Sequence, residues 1–159
     1  MPVEIERKFL VNGHPWTGGN RYKDMVQGYL SVDPRSTIRV RVERSSDTDM
    51  ITSLLTIKGL QVGMSRPEYE YQIPVGDAEE LIRNNCQHRL SKRRWFVENG
   101  PNEWHVDEFM EDNQGLIVAE IELLDQGERF EIPSWLGQEV TDDRRYSNAN
   151  LAMNPWLFW

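Results

Sequence analysis

Along most of this chain apolar and polar residues alternate in short runs. Eight segments read as β-strands: residues 3–11, 27–32, 37–44, 52–58, 68–74, 91–97, 103–109 and 116–124. Each is short and either alternates or is rich in β-branched and aromatic residues. Turn-formers separate many of them, at Asp33-Pro34, Gly59, Asn99-Gly100-Pro101 and Asn113-Gln114-Gly115. One helix is expected around Leu81 and Ile82, with Asp77 as its cap and Glu80 three residues on. A second, short helix is expected after Asn148, through Leu151 and Met153. Eight strands and few helices predict a mainly β fold of the α+β class, with an antiparallel sheet large enough to curl or close.

Successive strand side chains point to opposite faces, so parity decides which residues share a surface. In the first strand Glu4, Glu6 and Lys8 share one face, while Val3, Ile5, Phe9 and Val11 take the other with Arg7 as the exception. Arg39 and Arg41 alternate with Ile38, Val40 and Val42, and Lys58 lies with Thr56 opposite Leu55 and Ile57. Glu68 and Glu70 alternate with Tyr69, Tyr71 and Ile73, and Lys92 and Arg94 with Trp95 and Val97. Asp107 opposes Trp104 and Val106, and Glu120 and Glu122 oppose Ala119, Ile121 and Leu123. An ordinary amphipathic sheet, charged face in water, is one reading. The charges are nevertheless sorted by sign, with acidic pairs at 4/6, 68/70 and 120/122 and basic pairs at 39/41 and 92/94. If the sheet closes, the second reading is a channel lined by both signs.

Composition narrows the setting. With 159 residues and 38% hydrophobic content, the chain predicts one domain over 1–159, ending in an aromatic tail at 154–159. No apolar run reaches the ~18 residues of a membrane span, and MPVEIERKFL is no signal peptide. A lone cysteine, Cys86, excludes an internal disulfide framework, which favours the cytoplasm. A net charge of −8 argues against nucleic acid or an anionic membrane as partner. It leaves a local basic cluster free to act.

A channel of both signs suits a polyphosphate, which needs Lys and Arg donors along its length. Acidic pairs would repel such a ligand unless they hold a divalent cation, and Mg²⁺ and Mn²⁺ favour oxygen ligands. Glu-x-Glu on a strand sets two carboxylates about 7 Å apart on one face, near enough for one metal or a pair.

The same residues resemble a known family. Glu4-Ile5-Glu6-Arg7-Lys8 fits the ExExK signature of the CYTH domains, or triphosphate tunnel metalloenzymes. The likeness continues through Ile38 to Arg41, Leu55 to Gly59, Arg66 to Glu70, Lys92 to Arg94, His105 to Phe109, Gly115 to Leu123 and Val140 to Asn148. This resemblance implies an eight-stranded antiparallel closed β-barrel, a tunnel with helices packed outside, that binds triphosphate with Mg²⁺ or Mn²⁺. It implies substrate contacts from Lys8, Arg39, Arg41, Lys58, Lys92, Arg94 and Arg145. It implies metal ligation by Glu4, Glu6, Glu120 and Glu122, with Glu68, Glu70 and Asp143 as additions. Lys8, Lys92 and Tyr29 are the expected catalytic groups, and Val26-Gln27-Gly28-Tyr29-Leu30 also resembles the inorganic triphosphatases of the family. The expected reaction is metal-dependent hydrolysis of tripolyphosphate to pyrophosphate and phosphate. A nucleoside or thiamine triphosphatase, a class IV adenylate cyclase and a non-catalytic polyphosphate-binding module are the alternatives.

Of the histidines, His14 falls in a loop, His88 carries no signal, and His105 shares parity with Asp107 and so is a channel candidate. Cys86 reads as a small structural residue, and Trp95 and Trp104 as core. The tail at Trp156, Leu157, Phe158 and Trp159 has three readings: packing on the barrel, which is favoured, plugging one tunnel end, or joining a homodimer.

Overall fold

The computed structural model describes residues 2–159. Nine antiparallel strands form it: β1 (Val3–Val11), β2 (Tyr22–Ser31), β3 (Ser36–Ser45), β4 (Ile51–Gly59), β5 (Ser65–Gln72), β6 (His88–Asn99), β7 (Asn102–Phe109), β8 (Ile117–Glu122) and β9 (Leu136–Glu139). Two α-helices accompany them, α1 (Val75–Asn84) and α2 (Asn148–Met153). The strands lie in the order β5-β4-β3-β2-β6-β7-β8-β1-β9, and β1 also pairs with β5. That pairing, Val3 with Pro67 through Ile5 with Ser65, closes eight strands into a barrel. Farther along β1, Glu6 to Leu10 pair with β8, and β9 covers the edge at Phe9 and Val11. No helix among the described residues is long and apolar enough to cross a membrane.

The barrel is charged inside and apolar outside, the reverse of a small barrel filled by side chains. The outward residues therefore need covers. Phe9, Trp95, Trp104, Val106 and Ile121 lie under Trp16, Phe130 and Trp135. α1 lays Ala78 and Ile82 on Val40 of β3. α2 is seated differently. Its Leu151 packs with Leu90, Phe109 and Val118, and Phe109 stands directly opposite the inward-facing Lys92. This helix thus meets the inner face where charge gives way to apolar side chains.

Several expected boundaries move. β2 begins at Tyr22 rather than 27, because Tyr22, Lys23 and Asp24 ladder with Trp95, Arg94 and Arg93. β5 begins at Ser65, where it meets β1, and ends at Gln72. Asp77 does not cap α1. The cap is Pro74, whose extended backbone and carbonyl start the helix, while Asp77 sits in the first turn, favourable to the helix dipole. The short helix after Ser147 is as expected, with the Ser147 side chain accepting from the Asn150 N–H. β9 was not foreseen. Its partner explains Arg7, the parity exception: Arg7 faces outward and donates to Glu139 of β9 at 2.6 and 2.9 Å, against the Phe130 ring.

Candidate active site

All eight barrel strands send inward side chains to one cavity of about 410 Å³. Arg39 and Arg41 come from β3, Lys58 from β4, Lys92 and Arg94 from β6, and Lys8 from β1. Facing them are Glu4 and Glu6 of β1, Glu68 and Glu70 of β5, and Glu120 and Glu122 of β8. Tyr29 of β2 and Asp143, beyond β9, also line it. The alternation of short strands thus gathers the residues that parity sorted onto one face.

Arg145 is the exception. It lies outside the cavity lining, its guanidinium paired with Asp143 at 2.7 Å and stacked over Trp159. The neighbouring Arg144 lines the cavity instead, as do Arg66 and Asn148, none of which was singled out from the sequence, and Thr56, which shares the Lys58 face, lines it too. His105 reaches the lining as its parity suggested, opposite Glu120 in the β7–β8 ladder. Burial, followed by Arg94, pulls its imidazole below the usual value.

At the base of the cation wall Asp107 is fully buried. Its carboxylate accepts from Lys92 Nζ at 2.6 Å and from Arg94 Nε and Nη2 at 2.8 and 3.0 Å. Burial opposes its charge, but Arg94 and Lys92 outweigh burial and hold it well below the usual carboxylate range. Burial also opposes the Arg94 charge, and Asp107 overcomes that, so Arg94 is held more firmly protonated than usual. Lys92 loses this competition. Burial and then Arg94 pull its ammonium down to about 7, against Asp107. Arg41 is likewise lowered to about 10, by burial and by Arg39 and Arg94. It donates to Gln27 Oε1 at 3.0 Å and stands 3.4 Å from Glu43. Arg39 reaches Thr56 at 3.4 Å, and its Nε is buried with no partner. Lys92, Arg41 and Arg39 are crowded, desolvated and short of counter-charge, whereas Arg94 is held by Asp107. An anion would relieve all three conditions.

The acidic wall shows the converse strain. Lys58 donates to Glu4 at 2.9 Å and lies 3.7 Å from Glu68. Burial opposes its charge, and Glu4 and Glu6 overcome this and raise it. Glu70 accepts from Thr56, and Glu120 lies 3.4 Å from Arg94 and 3.7 Å from Lys8. Lys8 Nζ also donates to the Tyr146 carbonyl at 3.2 Å. Glu122, paired with Glu6 across β1 and β8, has its carboxyl raised by burial and then by Glu4, Glu6 and Glu120. Among the described residues no three such side chains already converge into a metal cage. The donor set is nonetheless all oxygen and crowded with like charge, and it fits a hard divalent cation.

The tail packs in part. Trp156 joins the Leu90–Leu151 cluster and donates its backbone N–H to Asn113 at 2.8 Å, and Trp159 meets Tyr146 edge-to-face. Leu157 and Phe158 remain exposed.

A closed antiparallel tunnel with a cation wall facing a carboxylate wall defines a protein built for a polyanion together with a hard cation. The chain belongs to the CYTH domain family, which it matches over residues 2–151. It is 41% identical over 157 residues to an inorganic triphosphatase of Acetivibrio thermocellus, covering 98% of this chain and 97% of that protein. An inorganic triphosphatase of Nitrosomonas europaea is 36% identical over 155 residues, covering 96% and 98%. The crystal structure of the inorganic triphosphatase NE1496 superposes with a TM-score of 0.64 at 32% identity, covering 94% of this chain and 97% of that one.

Proposed function

We propose that this protein is a metal-dependent inorganic triphosphatase that hydrolyses tripolyphosphate to pyrophosphate and phosphate. The observation that carries this reading is the pairing, inside one cavity, of under-neutralised cations with crowded carboxylates. A binding module would use the first wall and have little use for the second. The names of the two relatives support the same substrate.

The phosphoryl oxygens exchange water for the N–H donors of Arg39, Arg41, Lys58, Lys92 and Arg94, with Lys8 beside Glu120. Tyr29 accepts from Gln27 at 2.9 Å, which leaves its own proton free to donate to phosphate. The donors are held before substrate arrives, so charge developing on the bridging oxygen meets a preorganised field. The water oxygen bonds to the terminal phosphorus as the bridging P–O bond breaks; pyrophosphate leaves with the electron pair and takes up the proton that the water gives up. Lys92 is the cation whose proton moves most readily near neutrality, and bound triphosphate raises its affinity for that proton. Glu4, Glu6, Glu120 and Glu122 would hold Mg²⁺ or Mn²⁺, with Glu68, Glu70 and Asp143 as further candidates. When bound, the ion neutralises phosphoryl oxygens and acidifies water. The single cysteine suits a reducing compartment, and we assign the enzyme to the cytoplasm.

A second reading has one observation behind it. Val32, Pro34, Leu60 and Met153 add apolar surface to the lining, which would suit an organic substituent on the triphosphate. Phosphate release from tripolyphosphate, ATP and thiamine triphosphate, each with Mg²⁺, Mn²⁺ or chelator, separates the two. Metal-dependent release from tripolyphosphate is expected to dominate. A preference for an organic triphosphate would replace the substrate, and no release from any would remove the enzyme.

A further inference from the structure

Two neutral amides are built into the cation wall. Gln27 of β2 is fully buried and makes three hydrogen bonds. Its Nε2 donates to Tyr29 Oη at 2.9 Å and to Asn148 Oδ1 at 3.3 Å, and its Oε1 accepts from Arg41 Nε at 3.0 Å. Asn148 opens α2 and lines the cavity, and its Oδ1 accepts a second bond from Lys92 Nζ at 3.0 Å. A guanidinium only donates, so Gln27 turns its oxygen to Arg41 and its Nε2 to Asn148, which answers with the oxygen that also meets Lys92. The Asn148 Nδ2 is thereby turned away. It meets no protein acceptor among the described residues and is not one of the buried unpartnered atoms, so it is open to the cavity. The helix that carries it is fixed by the fully buried Leu151 and by the Ser147 cap.

We propose that Gln27 and Asn148 form an amide clamp that positions Lys92, Arg41 and Tyr29, and that Asn148 Nδ2 donates to a phosphoryl oxygen of the bound triphosphate. The choice of amides follows from charge. Arg39, Arg41, Arg94 and Lys92 crowd one another, and a further carboxylate, beyond Asp107, Glu43 and Glu120, would hold them in place only by cancelling more of the charge that the substrate needs. An amide orients a cation and leaves its charge intact. Within the clamp Asn148 contacts substrate, while Gln27 is a positioning residue. The substrate part of the proposal rests on the triphosphatase reading. The tie between Asn148 and Lys92 does not.

The experiment follows two NMR signals in the full chain. In the parent protein, the Asn148 side-chain amide resonance is expected to shift as tripolyphosphate is added in the presence of chelator. Asn148→Asp keeps the acceptor and the volume but replaces the donor with negative charge. It is expected to raise the Lys92 titration midpoint by about one unit, with Arg94, Asp107, Arg41 and Glu120 still facing that lysine. It is also expected to weaken tripolyphosphate binding by about tenfold or more, and Gln27→Met is expected to raise KM through Arg41 and Tyr29 while leaving the Lys92 midpoint in place. An unmoved Asn148 amide in a parent that binds tripolyphosphate overturns the donation. An unmoved Lys92 midpoint in folded Asn148→Asp overturns the clamp. If the parent binds no tripolyphosphate, the functional reading fails, and the Lys92 midpoint still decides the clamp.

Discussion

Replacing Asp107 with asparagine removes the carboxylate that Lys92 and Arg94 share, with no change in side-chain size. The wild-type oxygens accept three charge-assisted bonds in a site closed to water. An amide keeps one acceptor and turns the other oxygen into a donor that faces a cation. Breaking a buried ion pair from one side costs about 3–5 kcal/mol, or about two to three and a half orders of magnitude in the folding equilibrium. The pH dependence carries a signature of its own. Lys92 titrates near 10.5 in the unfolded chain and near 7 in the fold, so between those values the unfolded chain binds more protons and stability rises with pH. Below about 7 Lys92 is charged in both states, and that gain is absent. In Asp107→Asn the ammonium loses its raising partner, its folded value drops further, and the window opens at lower pH. The stability loss is therefore largest in mild acid and shrinks as pH rises toward 8.

Urea unfolding, followed by tryptophan fluorescence in chelator at pH 5.5, 7 and 8.5, measures both effects. Tripolyphosphate should restore part of the loss by mass action, since it supplies the missing negative charge. A loss below about 1 kcal/mol at every pH, the size of one ordinary hydrogen bond, would refute the reasoning that Asp107 holds the cation wall together. A loss that does not vary with pH would leave the packing and remove Lys92 from the account.

Three further outcomes follow from the same geometry. Glu122→Gln removes a carboxylate whose neighbours disfavour its charge, so the melting temperature in chelator should rise and the increment that Mg²⁺ adds should shrink; a fall in chelator would show that the carboxylate wall is not self-repelling. Arg39→Ala should raise KM for tripolyphosphate by more than tenfold, whereas Arg145→Ala, outside the lining, should change it by less than about threefold; the opposite order would move the contact set out of the tunnel. Deleting residues 156–159 withdraws Trp156 from the cluster beneath α2, a loss of about 2–4 kcal/mol, read as a fall of several degrees in melting temperature. Sedimentation of the same pair reports whether the exposed Leu157 and Phe158 hold a second copy, since a halved mass on deletion would assign them to a homodimer.

Parity made the two walls legible because a strand has only two faces. Glu4, Glu6, Lys8, Arg39, Arg41, Lys58, Lys92, Arg94, Glu120 and Glu122 all reach the cavity that their alternation implied. Parity says nothing about depth or about partners in other strands. Asp107 was visible as an inward residue, yet its hold on both Lys92 and Arg94 depends on the β6–β7 register, where Arg94 stands opposite Asp107. Arg145 came from the resemblance and not from parity; it lies in a 3₁₀ turn outside the lining, where the cap Asp143, two residues away, takes up its guanidinium. β9 escaped notice because Leu-Gly-Gln-Glu has neither length nor β-branched content, and only its ladder with Phe9 and Val11 makes it a strand.

The apolar half of each strand explains what remained hidden. A barrel charged on the inside must cover its outside; α1 does so over β3, and the other covers come from segments without period, Trp16 before β2 and Phe130 and Trp135 between β8 and β9. Their role is set by what they meet in space, which no local pattern encodes. The amide clamp is the same problem inside the tunnel. Gln27 alternates with Val26 and Gly28 like any strand polar residue, and Asn148 reads as the start of a short helix. Chemistry appears only when two residues 121 positions apart are brought together and one oxygen is shared between Gln27 and Lys92. Titrating Lys92 in Asn148→Asp is therefore a test of tertiary structure as much as of catalysis. Its outcome depends on a contact that sequence pattern could not have supplied.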